Sequence, residues 1–106
     1  MAKMASWQAV AQVDEVQEGL PIEVVVNGFE LCLLRAGDDF FAIDNLCTHA
    51  EASLCEGAQD GRILECPRHG GRFNIETGAA VHYPAFAPVR TYPVRRENDT
   101  LLVQVD

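Results

Sequence analysis

Cys47-Thr48-His49, then sixteen residues from Ala50 to Glu65, then Cys66-Pro67-Arg68-His69-Gly70-Gly71-Arg72-Phe73 is the stretch that decides how this chain is read. Two thiols and two imidazoles, in the order Cys, His and again Cys, His, form a four-donor set divided equally between two short segments. Each pair is too short to wrap comfortably around one ion. Two irons joined by bridging sulfides need two protein ligands apiece, and each pair can offer a thiolate to one iron and an imidazole to the other. Gly70 and Gly71 lack Cβ atoms, so backbone amides can come close to such a centre, and Pro67 fixes the loop between the donors.

Outward from this stretch the chain reads as short strands joined by tight turns. Residues 22–26 are β-branched, Asn27-Gly28 is a strong two-residue hairpin signal, and residues 29–35 carry the return strand. Upstream, residues 7–13 alternate in character and a polar turn at 14–19 follows. A turn at 36–39 leads into a strand at 40–44, whose end delivers Asn45, Leu46 and Cys47. Asp60-Gly61 is a second hairpin signal, and residues 62–65 form a short strand running into Cys66, so the two ligand loops are expected on neighbouring strands. Residues 71–75 leave the site as a strand and Glu76-Thr77-Gly78 turns it. Residues 83–88 are too rich in proline for a central strand and are expected to form an ordered loop. Residues 89–96 and 100–105, about a turn at Glu97-Asn98-Asp99, close the chain as a hairpin. Neither an amphipathic helix of three turns nor a repeat is legible. Short strands with Gly, Asn and Asp turns at close spacing indicate an all-β sandwich or small barrel.

A chain of 106 residues has room for one domain, spanning 1–106, with a modest core to which a bound cluster would add stability. With 48% hydrophobic and 23% charged residues it should fold rather than stay disordered. No apolar run approaches the roughly 18 residues of a membrane span, and residues 1–6 lack the apolar stretch of a secretory signal, so a cytoplasmic protein with no membrane partner is expected. The formal charge of −8 argues against nucleic acid, whose binders need a basic stripe to neutralise phosphates. Residues 1–61 hold eleven acids against Lys3 and Arg35, a balance of −9, whereas residues 62–106 hold five acids against six arginines, a balance of +1. The acidic first half suits a docking surface for basic partners or serves solubility alone. Two of the four cysteines fall in the donor pairs, and thiolate ligands suit a reducing compartment. Cys32 and Cys55 are therefore expected to be free thiols, Cys32 as a buried small hydrophobe inside a strand.

Cys-x-His, sixteen residues, then Cys-Pro-x-His-Gly-Gly-x-Phe resembles the Rieske signature, in which histidines replace cysteines on one iron of a [2Fe-2S] cluster. In a chain this short it is most similar to the Rieske ferredoxins of bacterial aromatic-ring-hydroxylating dioxygenase systems, over nearly the whole length. The resemblance implies stacked antiparallel sheets, with a small cluster-binding subdomain at about 45–75 inserted into a base, and too great a distance for Cys32 in the base to reach Cys55 in the loop. It implies that Cys47 and Cys66 hold the inner iron and His49 and His69 the outer one. The electron is expected on the histidine-ligated iron, with an exposed imidazole edge as its exit. The high-potential branch of the family has two further loop cysteines and a Ser after His-Gly; this chain has Ala52, Arg68 and Gly71 at those positions. A potential toward the lower end of roughly −150 to +300 mV is thus expected. Residues 84–88 match a family loop that covers the other side of the cluster. The implied partners are a flavin-dependent ferredoxin reductase and a terminal dioxygenase of aromatic hydrocarbon catabolism, served by a monomeric carrier.

Competing readings are weaker. A structural Cys2His2 zinc site usually spaces its ligands more widely and often uses a helix. A Rieske oxygenase needs a further iron held by two histidines and a carboxylate, and only His82, expected at the surface, remains for it. Small subunits of nitrite reductases are Rieske-like chains of similar length, but many lack the ligands present here. A redox-sensing module has no positive support. Arg68 and Arg72 flank the site as candidates for guiding a partner, although exposed loop arginines are ordinary.

Overall fold

The computed structural model describes residues 6–48, 52–85 and 87–105. Three antiparallel sheets carry them. The first orders its strands β1 (Ser6–Gln12), β11 (Thr100–Val105) and β10 (Val94–Glu97). The second orders β2 (Ile22–Val26), β3 (Phe29–Ala36), β4 (Asp39–Asp44) and β9 (Thr91–Tyr92), and the third β5 (Ala58–Asp60), β6 (Ile63–Glu65), β7 (Arg72–Asn74) and β8 (Ala80–His82). The β2–β3 hairpin pairs Val26 with Phe29 across Asn27 and Gly28, whose φ angles of 50° and 83° are the positive values a two-residue primed turn demands.

The second sheet is the middle layer, and β3 shows why. Alternation along a strand sends successive side chains to opposite faces. Leu31 and Leu33 join Ala42, Tyr92, Leu101 and Val103 in the core shared with the first sheet. Cys32 and Leu34 join Ile43, Leu64, Phe73 and Ile75 in the core shared with the third. All four β3 residues are fully buried, so the run Leu31-Cys32-Leu33-Leu34 has no solvent face to mark with polar residues. Full burial of each leucine stabilises the fold by about 1.5–3 kcal/mol. At the surface, Arg62 bridges Asp39 at 2.6 Å and Glu76 at 3.1 Å and lies over the Phe41 ring, fastening the third sheet to the second.

The structure departs from the sequence expectations in four places. Residues 89–96 are not one strand: β9 pairs with β4 in the middle sheet, and β10 pairs with β11 in the first. Pro93 stands between them with no N–H to continue a ladder, and its carbonyl instead accepts a hydrogen bond from Gln104 N–H at 3.0 Å. The ligand loops do not hang from neighbouring strands, because β4 lies in the middle sheet and β6 in the third. Strands β5 and β8 were not anticipated, each being only three residues long. Finally, Cys32 and Cys55 are not free thiols. They are joined in a disulfide with Cα atoms 5.4 Å apart, because the 3-10 turn at Leu54–Glu56 folds back onto β3 rather than standing away with the tip.

Candidate metal centre

The end of β4 launches the first ligand loop, and Asn45 secures it. The Asn45 N–H donates to the Glu30 carbonyl at 3.0 Å, and its own carbonyl accepts from Leu54 N–H at 2.7 Å. The side-chain oxygen of Asn45 accepts from Ser53 Oγ at 3.0 Å and Cys55 N–H at 2.9 Å, while Nδ2 donates to Glu23 at 2.5 Å. One buried amide thereby closes the loop on itself and ties it to the edge strand β2. Inside this closure Cys47 N–H donates to the Ala52 carbonyl at 3.0 Å.

The second loop joins β6 to β7 within the third sheet. Cys66 N–H donates to the Gly71 carbonyl at 2.7 Å, and the Cys66 carbonyl accepts from Gly70 N–H at 3.1 Å. Gly70 has φ 75°, a backbone state open to a residue without Cβ, so the sharp return after His69 is built into the sequence. The two loops flank a shallow cleft lined by Ala52, Ser53, Glu56, Pro67 and Arg68.

Burial separates the described members of the pattern. Cys47 and Cys66 are 4% and 1% exposed and lie in one apolar cluster, whereas His69 is exposed. His49, the fourth donor of the pattern, lies outside the described residues. Among the described residues no three His, Cys, Asp or Glu side chains converge on a single point. Two inward thiols and an outward imidazole suit a two-iron centre with one iron against the protein and the other at the surface. His82 is exposed on β8, as expected of a surface residue.

The proline-rich loop closes over the same place. Ala85 is buried in the cluster that contains both cysteines, and Thr48 Oγ1 donates to the Ala87 carbonyl at 2.9 Å. Gly78, at φ 81°, accepts Val89 N–H at 2.8 Å and sits where a Cβ would strike the Val89 carbonyl, so it fixes where this loop returns to the sheets. Phe86 lies outside the described residues. Sequence reasoning missed Asn45 and Gly57. The only signal for Asn45 was its place two residues before a ligand; for Gly57 there was none.

Comparison with known proteins agrees with this geometry. Residues 6–93 match the Rieske [2Fe-2S] domain. The ferredoxin component of the naphthalene 1,2-dioxygenase/salicylate 5-hydroxylase systems of Ralstonia sp. is 39% identical, over 95% of this chain and 97% of that protein. Among solved structures, the ferredoxin of carbazole 1,9a-dioxygenase from Nocardioides aromaticivorans IC177 is 40% identical with a TM-score of 0.89, over 92% of this chain and 96% of that one. A chain in the complex of reduced oxygenase and oxidized ferredoxin in carbazole 1,9a-dioxygenase is 36% identical with a TM-score of 0.88, over 92% of both chains. A chain described as a nitrite reductase small subunit is 14% identical, a likeness that carries the fold alone.

Proposed function

The chain belongs to the Rieske [2Fe-2S] family, and from that membership we propose that it is a one-electron carrier that takes electrons from a flavin-dependent reductase and passes them to a terminal ring-hydroxylating dioxygenase. It is an electron-transfer component rather than a catalyst. The observation that carries the reading is the division of donors, with Cys47 and Cys66 buried in one apolar cluster and His69 at the surface beside them.

In this reading Cys47 and Cys66 hold the inner iron and His49 and His69 the outer one, in a subdomain at about 45–75. A [2Fe-2S] group bound there takes up and returns a single electron. The protein supplies its setting. Cys47 and Cys66 would anchor the group from one buried cluster that also contains Ala85 of the proline-rich loop, and the Asn45 network holds the loop that presents Cys47. His69, exposed on the second loop, would offer the electron a route to a docked partner. Leu46 and Tyr83, 63% and 83% exposed, stand next to the first ligand loop and the proline-rich loop as apolar contacts for that partner. No helix of the described residues is long and apolar enough to cross a membrane. We place the protein in the cytoplasm, as a monomer, where thiolate ligands are kept reduced.

Electron paramagnetic resonance of the dithionite-reduced protein tests the assignment. A rhombic [2Fe-2S] signal with nitrogen couplings is expected, lost in His49→Ala and in His69→Ala. A colourless, silent protein would sink it in favour of zinc.

A further inference from the structure

Electron transfer through the cluster makes no use of the second cysteine pair. We infer that Cys32 and Cys55 form a thiol–disulfide exchange site, whose bond fastens the first ligand loop to the middle sheet and whose cleavage by a dithiol reductant loosens the hold on the cluster. The inference rests on the reading of Cys47 and His49 as cluster ligands.

The bond is placed where a tie has leverage. Its base end is Cys32, fully buried in the central strand β3 opposite Glu23 and Ile43. Its other end, Cys55, is the residue at which the ligand loop closes, since Cys55 N–H donates to the same Asn45 oxygen that holds Ser53. Asn45 and Cys55 thus meet at a point with two fastenings, the Asn45 amide and the disulfide. The covalent one spans 23 residues of sequence and removes from the open chain the freedom of that whole segment, including the β3–β4 turn and Cys47.

Access to the bond is one-sided. Cys32 is sealed in the apolar cluster, whereas Cys55 is half-buried at its rim. Of the two ends, Cys55 is therefore the one on which an incoming thiolate acts, at Sγ. A new sulfur–sulfur bond forms there, the Cys32–Cys55 bond breaks, and the Cys32 sulfur leaves with the electron pair and takes up a proton. The second thiol of the reductant then attacks the mixed disulfide and releases Cys55 as a thiol. In sum the protein disulfide gains two electrons and two protons, and the dithiol becomes a disulfide; a small disulfide such as oxidised glutathione drives the reverse. Cys32 must leave into apolar surroundings that disfavour a thiolate, so exchange is slow and follows sustained shifts in thiol poise rather than brief ones. In compartments that keep thiols reduced, a bond of this kind is typically redox-responsive rather than permanent.

Peptide mapping of the cluster-loaded protein tests the site. After equilibration with oxidised glutathione, digestion without reductant should yield a linked Cys32–Cys55 peptide, replaced by two alkylated peptides after dithiothreitol. Over the same treatment the visible absorbance of the cluster should decay several-fold faster on warming, and the thermal midpoint should fall by roughly 10 °C. Cys55→Ser should decay at the fast rate with or without dithiothreitol, which separates loss of the tie from direct attack on the cluster. Absence of the linked peptide after oxidation overturns the site, and a linked peptide whose cleavage changes neither decay nor midpoint overturns its role on the loop. If the protein carries no cluster, the assignment of the ligands fails, while the linked peptide and the midpoint still decide this one.

Discussion

Asn45 Nδ2 donates a 2.5 Å hydrogen bond to Glu23 Oε2, joining the root of the first ligand loop to the edge strand of the middle sheet. The orientation of the amide is fixed from the other side, where two donors, Ser53 Oγ and Cys55 N–H, meet its oxygen. Asn45→Ala leaves those donors without their acceptor in a half-buried place, a loss of about 1–3 kcal/mol. Chemical denaturation should show that loss, together with faster bleaching of the cluster. Asn45→Asp keeps the acceptors but sets a carboxylate against Glu23, so it should be destabilised as well. An Asn45→Asp protein as stable as the parent would show that the contact with Glu23 contributes nothing.

Gly57 lies against the strand that carries the second ligand loop with no room for a side chain. Its φ of −80° is open to any residue, yet a Cβ there would collide with the Glu65 carbonyl one residue before Cys66. Gly57→Ala should therefore push the 3-10 turn at Leu54–Glu56 away from β6, at a cost of about 1–3 kcal/mol. Because both loops shift, the resonance signal of the reduced protein should broaden. Unchanged stability and line shape in this variant would mean that β6 can give way freely.

Tyr92 gives the fold a dependence on alkaline pH. Its hydroxyl donates to Asp44 Oδ1 at 2.5 Å, and its pKa is pushed up to about 12 from 10.0, first by burial and then by Asp44, with Arg90 opposing. The folded state thus favours the protonated phenol. That contribution is fully present below pH 10 and is lost as pH rises from 10 toward about 12. Tyr92→Phe should be less stable at neutral pH by roughly 1 kcal/mol and should show a flatter stability profile across the alkaline window. Parallel profiles for the two proteins would rule this linkage out.

Which parts of this arrangement were legible in the sequence follows from the range of each signal. Asn27-Gly28 could be read because a two-residue turn with two positive φ angles admits few residue pairs. Cys47, Cys66 and His69 stand out in the sequence because thiols and imidazoles at fixed short spacing are a local pattern, and the structure lays the two cysteines in one apolar cluster. Pro93 is a local signal for a break that the single-strand reading of 89–96 passes over, and nothing local says that the chain before it pairs in one sheet and the chain after it in another. Strands of three residues, such as β5 and β8, are too short to show a period of two. The meeting of Cys32 and Cys55 depends on how a loop folds back over 23 positions, a distance at which spacing rules say nothing.

Charge around the exposed tip should control the rate of encounter. Arg68 is exposed beside His69, and Arg72 pairs with Glu65 at 2.9 Å on the flank of the same loop. The rest of the chain is acidic, with a formal charge of −8 overall. Electron transfer to the partner should slow as ionic strength rises, because exposed charges are screened beyond a Debye length of about 8–10 Å. In stopped-flow measurements Arg68→Ala should change the slope of rate against ionic strength while leaving the resonance spectrum intact. A rate flat from low to high salt would remove charge steering from the account.

Gly71 sets an expectation for the potential itself. It follows His69-Gly70, its carbonyl holds Cys66 N–H at 2.7 Å, and it brings no side-chain donor toward the cluster. Hydrogen bonds to cluster sulfurs favour the reduced state, because they meet the negative charge that the added electron brings. Lacking such a hydroxyl, the centre should have its midpoint in the lower part of the roughly −150 to +300 mV range. Gly71→Ser restores a donor at the position where high-potential relatives carry one, and redox titration should find its midpoint shifted upward. A Gly71→Ser protein with an intact cluster and a midpoint at or below that of the parent would show that the hydroxyl does not reach a sulfur in this loop.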